Sequence, residues 1–240
     1  MHIIIIFIII FIVGIILYLS CNNIEISYFD SKKPGPKILF IAGTHGNEPS
    51  GYTSLLLLKN SLNNKKIKLL SGSLTIIYNL NKCGYYFDNR YYSTIGKNID
   101  INRLYTRGFP INNKVEKIVD KHDIIIDFHE GAGYISRDKK SIGSSITSVN
   151  YPIFDVKNMI SYINRSISEK YKKWRINNSP PLIPFTLRYY CNLKNKKYLL
   201  VETSGQKNIQ PLHIRVNQNL KVIQYILQHQ YKILPIEKYK

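Results

Sequence analysis

The chain has 240 residues and a formal charge of +19, with 34 Lys and Arg against 15 Asp and Glu. Apolar residues make up 44% of it, which excludes a disordered tail and suffices for one domain with a real core. The basic residues are scattered as separate pairs (Lys65-Lys66, Lys139-Lys140, Lys172-Lys173, Lys196-Lys197) and never form a block. A dedicated nucleic-acid face clusters its charge, so the excess reads as drift in a chain rich in Ile, Asn, Lys and Tyr. Three cysteines, Cys21, Cys83 and Cys191, form no C-x-x-C pair, and at most one disulfide, Cys83 to Cys191, is expected in the folded part.

Residues 3 to 19 are an apolar run interrupted only by Gly14 and Tyr18. That is the short edge of a membrane-spanning helix and longer than a signal-peptide core. Residues 1–22 therefore read as an uncleaved single-pass anchor, the alternative being a signal whose cleavage releases a secreted protein. Orientation stays open. Lys32, Lys33 and Lys37 favour a cytoplasmic body, whereas the sequons at Asn164 and Asn177 suit the other side. Residues 23–36, which include the SKKPGPK stretch, read as a linker, and 37–240 as the folded domain.

Within the domain, Lys37–Ala42 (KILFIA) reads as a buried strand and Pro49 to about Leu62 as a helix. Further strands are expected at Leu74–Tyr78, Asp123–Phe128 and Tyr198–Val201. Helical spacing covers Val156 to about Lys173 and Leu212 to about Gln230, where Ile214, Leu220, Ile223, Ile226 and Leu227 are expected on one face. Alternating strands and helices imply an α/β fold with a largely parallel or mixed sheet, whose ligands bind beyond the carboxyl ends of the strands.

The polar motifs fall at those ends. Gly43-Thr44-His45-Gly46-Asn47-Glu48 follows the first strand, and a loop turning at two glycines can aim an imidazole and a carboxylate at one point. His129 ends the apolar strand IIIDFHEG and completes a set of two histidines and one carboxylate, the pattern of a catalytic zinc with an open position. Asp127, two residues earlier on the same face, is placed to accept a ligand's other ring N–H. Glu202, in VETSG, is a candidate base toward water and acid toward a leaving amine. Arg103, in DINR, can take a carboxylate bidentately.

Taken in order, GTHGNE, DINR, DFHEG and VETSG resemble the zinc carboxypeptidase superfamily, including its succinylglutamate desuccinylase/aspartoacylase branch, over about Lys37 to Leu227. The resemblance implies a mixed eight-stranded sheet flanked by helices, here preceded by an N-terminal hydrophobic helix. It implies one zinc ion on His45, Glu48 and His129, with Glu202 catalytic. Asn102 and Arg103 would hold a substrate carboxylate, and Arg90 would polarise the scissile carbonyl. Tyr189 or Tyr190 would close over the substrate. The expected activity is cleavage of an amide bond beside a free carboxylate in a peptide or an N-acyl amino acid, foremost as a metallocarboxypeptidase. Alternatives are an N-acyl amino acid deacylase and an inactive membrane-anchored binding module. The body is short for the family and lacks room for the extra C-terminal β domain of aspartoacylase-like members.

Overall fold

The computed structural model describes residues 5–6, 23–94, 97–178 and 180–234. The expected N-terminal helix falls almost wholly outside these residues. No helix among the described residues is long and apolar enough to cross a membrane.

Among the described residues, seven strands make one mixed sheet. They are β1 (Ser27–Asp30), β2 (Lys37–Ala42), β3 (Ser73–Ile77), β6 (Ile124–Gly131), β7 (Ser145–Val149), β8 (Arg175–Ile176) and β9 (Lys197–Ser204). Strands β4 (Tyr92–Thr94) and β5 (Lys97–Ile99) form a separate antiparallel pair. The sheet order is β1-β3-β2-β6-β9-β7-β8. The central strands β3, β2, β6 and β9 run parallel, β1 runs antiparallel to β3, β7 runs antiparallel to β9, and β8 runs parallel to β7. This is the expected mixed architecture with seven strands where the resemblance implied eight. Part of the stretch read as linker belongs to the sheet, since Ser27–Asp30 pairs with Ser73–Ile76 along its edge.

Among the described residues from 23 on, the α-helices are α1 (Pro49–Asn63), α2 (Lys82–Tyr86), α3 (Pro110–Val119), α4 (Ile153–Asn164), α5 (Leu187–Leu193) and α6 (Leu212–Gln224), the last continuing as a π-helical turn, Tyr225–Gln230. Side chains alternate across the sheet, and two cores result. Ile38, Phe40, Ile124, Ile126, Phe128, Leu199 and Val201 face α1, α4 and α6. Leu39, Ile41, Ile125 and Tyr198 face α3 and α5.

That alternation positions the site. With Ile126 and Phe128 committed to the larger core, Asp127 and His129 must emerge on the other face of β6. On β9 the same rule sends Tyr198, Leu200 and Glu202 to that face. Residues directly opposite on β7, Ser145, Thr147 and Val149, share it.

Three expectations need correction. Helix α4 ends at Asn164 rather than near Lys173, and the chain continues to a single 3₁₀ turn at Lys170–Lys172. On α6 the buried side runs through Arg215, Val216, Asn219, Val222 and Ile223, and Ile214 is exposed at the rim. Cys191 is a free, buried thiol, so the Cys83–Cys191 bridge does not form.

Candidate metal centre

Strand β2 stops where Gly43 takes a left-handed conformation (φ +70°), which only glycine adopts freely. The following loop is pressed against α2: a Cβ on Gly46 would lie 1.9 Å from the carbonyl carbon of Gly84. So held, the loop buries His45 and Glu48 at the start of α1. Glu48 occupies the N-cap position, yet its carboxylate does not cap the helix. It turns into the site instead.

There, His45 Nδ1 lies 2.8 Å from Glu48 Oε1 and His129 Nδ1 lies 2.8 Å from Glu48 Oε2. The two Nδ1 atoms are 3.1 Å apart. Ligand atoms from all three residues fall within 4.8 Å of one another. The far ring nitrogens each face a carboxylate: His45 Nε2 is 3.3 Å from Asp100 Oδ1, and His129 Nε2 is 3.2 Å from Asp127 Oδ1. The second contact has ion-pair distance without hydrogen-bond alignment, since neither atom has a hydrogen-bond partner. Asp127 is itself held by the Tyr198 hydroxyl, which donates to Oδ2 at 2.8 Å. Two imidazoles with one nitrogen converging inward and the other backed by a carboxylate, plus one carboxylate, is the donor set of a catalytic zinc with its outer partners in place. The residues present fit that ion.

The electrostatics agree. Burial opposes ionisation of Glu48, but His45 and His129 outweigh it and hold the carboxyl well below its usual range. Burial also opposes charge on His129, and Asp127 and Glu48 reverse this, raising its pKa well above the ordinary imidazole value. Asp100 is half-buried, and His45, Arg90 and Arg103 overcome that burial and lower its pKa. The site favours positive charge at its centre.

Glu202 sits on β9 directly across from His129 on β6. It is buried, and its Oε2 has no hydrogen-bond partner. Burial pushes its pKa up to about 8, with Glu48 and Asp127 adding to the shift and His129 and Arg90 opposing it. A cation on the three donors acts in the same sense as His129 and Arg90, toward a carboxyl poised near neutrality.

His45, Glu48, His129, Glu202, Arg90, Asn102 and Arg103 all line one cavity of about 290 Å³. Arg90 donates to Glu48 Oε1 at 3.1 Å and approaches Asp100 Oδ2 at 3.5 Å. Asn102 uses its side-chain oxygen to accept from Leu187 N at 3.0 Å, tying the loop to the start of α5. Arg103 is exposed, and its side chain's only hydrogen bond among the described residues is a donation to the Asn102 carbonyl at 2.8 Å. Neither expected closing tyrosine lines the cavity. Tyr190 is buried in the second core with its hydroxyl on Asp120, and Tyr189 packs near Phe185. The cavity wall in that region is Pro180, Pro181 and Ile183.

Three participants escaped the sequence reading. Asp100 backs His45, although only its neighbours in DINR were singled out. Glu130, next to His129, turns to the other face, where it accepts from Ser50 N at 2.7 Å and pairs with Arg215. Arg188 is buried in the cavity wall, and no motif marks it.

No known sequence family and no curated protein matches the chain. Solved structures do. The cell shape determinant protein Csd4 from Helicobacter pylori, bound to product, aligns with a TM-score of 0.73 at 20% identity, over 91% of this chain and 58% of Csd4. Its mDAP-bound form, described as a D,L-carboxypeptidase, aligns at 0.69 and 21% identity, over 86% and 55%. Carboxypeptidase A from Helicoverpa armigera aligns at 0.62 and 12% identity, over 88% and 68%. The chain thus has a carboxypeptidase-like fold and spans a little over half the length of Csd4.

Proposed function

We propose that the chain is a zinc-dependent metallocarboxypeptidase that removes the terminal residue of a short peptide. The observation that carries this is the convergence of His45, Glu48 and His129 beside a buried Glu202 whose Oε2 has no hydrogen-bond partner. The structural neighbours support it. Csd4 has been described as a D,L-carboxypeptidase and has been seen with a tripeptide and with mDAP.

In this reading His45, Glu48 and His129 hold the metal, with Asp100 and Asp127 fixing the imidazoles. Bound there, zinc supplies Lewis acidity toward the scissile carbonyl and acidifies water. Arg103, with Asn102 shaping its loop, takes the terminal carboxylate, and this favours release of an end residue over internal cleavage. Glu202 takes the proton from the attacking water and returns it to the departing amine. Arg90, at the edge of the cavity, stabilises the negative charge that develops on the carbonyl oxygen.

The test is metal content and turnover, measured together. The wild-type protein is expected to hold about one zinc per chain and to cleave N-acylated dipeptides, and Glu202→Gln should keep the metal while losing roughly 10³-fold or more in kcat. Full activity in Glu202→Gln, or no zinc uptake by the folded wild type, defeats the reading. N-acyl amino acids assayed beside the dipeptides separate a carboxypeptidase from a deacylase. The tether at residues 3 to 19 is proposed from sequence alone. Recovery of the full chain in an alkali-washed membrane fraction supports it, and quantitative extraction by alkali removes it.

A further inference from the structure

Arg188 stands in the first turn of α5, and its exposure is 7%. A buried guanidinium normally has an acid partner, because an uncompensated buried charge costs several kcal/mol. Among the described residues no carboxylate lies within ion-pair distance of it. One terminal nitrogen donates to the carbonyls of Pro180, at 3.2 Å, and Pro181. Its other donors make no hydrogen bond to the described residues. Burial without a counter-charge draws its pKa below the usual arginine value.

The neighbourhood is similarly incomplete. Thr147, on β7 opposite Leu200, lines the same cavity, and its buried Oγ1 has no hydrogen-bond partner. Tyr198 and Leu200 line it as well. The acids that line the cavity are committed elsewhere. Glu48 is held by the two histidines and Arg90, and Glu130 by Arg215 and Ser50 N. Glu202 faces His129. The cavity therefore offers two guanidiniums, Arg103 and Arg188, that have no carboxylate within ion-pair distance among the described residues.

We propose that Arg188, with the unpartnered Thr147 hydroxyl of the same cavity, forms a subsite that binds a carboxylate on the side chain of the substrate's terminal residue, making an acidic residue such as Glu the preferred one. The subsite rests on the function proposed above: Arg103 takes the main-chain carboxylate and Arg188 the second. The two proline carbonyls fix one edge of the guanidinium and leave the other for the ligand, in the planar geometry that suits a carboxylate.

The test has a kinetic and a binding arm. In the first, N-acylated dipeptides ending in Glu, Gln and Lys are compared with wild type, Arg188→Gln and Arg188→Lys. A charge-assisted contact of this kind gives a Glu over Gln preference in kcat/KM of roughly 10- to 100-fold in wild type. The ratio should fall to near one in Arg188→Gln and recover in part in Arg188→Lys. In the second, calorimetry measures N-acetylglutamate against N-acetylglutamine, which needs no turnover, and the same ratio should appear and collapse. No Glu over Gln preference in either arm overturns the subsite. So does a loss in Arg188→Gln that is equal for all ligands and leaves the ratio intact, the result of a purely structural role for Arg188 on the Pro180-Pro181 segment. Discrimination in binding without cleavage of any peptide keeps the subsite and removes the peptidase reading. Cleavage without discrimination does the reverse.

Discussion

Glu130 follows His129 in sequence but serves the opposite side of its strand, where Arg215 reaches it from α6. The pair is almost wholly buried, and removing one member leaves the other charged or forces it to take a proton. Burial already raises the Glu130 carboxyl pKa, against the pull of Ser50 and Arg215. Arg215→Met should therefore lower unfolding stability by about 3–5 kcal/mol, read from urea midpoints at constant slope, and a Glu130→Met/Arg215→Met double variant should recover most of it. Equal losses in the single and double variants would show that the charge pairing is not the cause. A second residue gives a pH dependence. His122 Nδ1 donates to the Ile118 carbonyl at 2.7 Å, so in the neutral ring Nε2 accepts from the Thr75 hydroxyl, also at 2.7 Å. Burial is the main cause of its lowered pKa, and Lys196 and Lys37 add to it, while the Ile118 bond and Asp123 oppose it. A histidine with a depressed folded pKa takes its proton first in the unfolded chain. Its contribution to stability is present above the unfolded value near 6.5 and is lost as pH falls toward the folded one. Urea midpoints of wild type should drop between about pH 7 and pH 5 by more than those of His122→Asn, and parallel curves would exclude the effect.

The elements legible in the sequence were those with unbroken apolar runs. β2, β6 and β9 are central strands covered on both faces, so each contains a run of apolar residues, ILFIA, III and YLLV, that stands out. β1, β7 and β8 are short and lie toward the sheet's edges, and SITSV carries too few large side chains to register. Helix α3 was missed although Pro110 at its start and Ile111, Val115 and Val119 at four-residue spacing were available as signals. The His45–Glu48 motif was legible because a glycine on each side of Thr44-His45 is a local signature. Its dependence on α2 was not, because a tertiary approach leaves no local mark. That approach makes a prediction at this scale. Gly46→Ala places a methyl against the Gly84 backbone, which cannot yield as a flexible side chain would. The loop must back away, at about 1–3 kcal/mol of overpacking, and carry His45 with it. Zinc affinity should fall at least 10-fold while the circular dichroism of the fold persists. Wild-type affinity in Gly46→Ala would mean that the loop adjusts without moving its ligands.

Across the whole molecule the sheet collects acid at one place in a chain whose net charge is +19. Glu48 arrives after β2, Asp127 on β6, Glu202 on β9, and Asp100 from the loop after β5. Sequence motifs identified where each strand delivers its residues. They did not reveal Arg188, because a lone arginine in a helix carries no signal until the wall it joins is known. The convergence has a global consequence. A cation that binds the folded site and not the unfolded chain adds RT ln(1 + [L]/Kd) to stability, about 2.7 kcal/mol at a hundredfold excess over Kd. For a domain of this size that corresponds to a rise of roughly 5–10 °C in Tm. Calorimetry with zinc and then with excess chelator should show this difference in wild type, and His45→Ala should abolish it. Arg188→Gln should preserve it, because Arg188 approaches none of the three metal donors within ion-pair or hydrogen-bond distance. A zinc-induced rise that survives in His45→Ala would place the ion elsewhere on the chain and leave Glu202 without the partner its proposed chemistry requires.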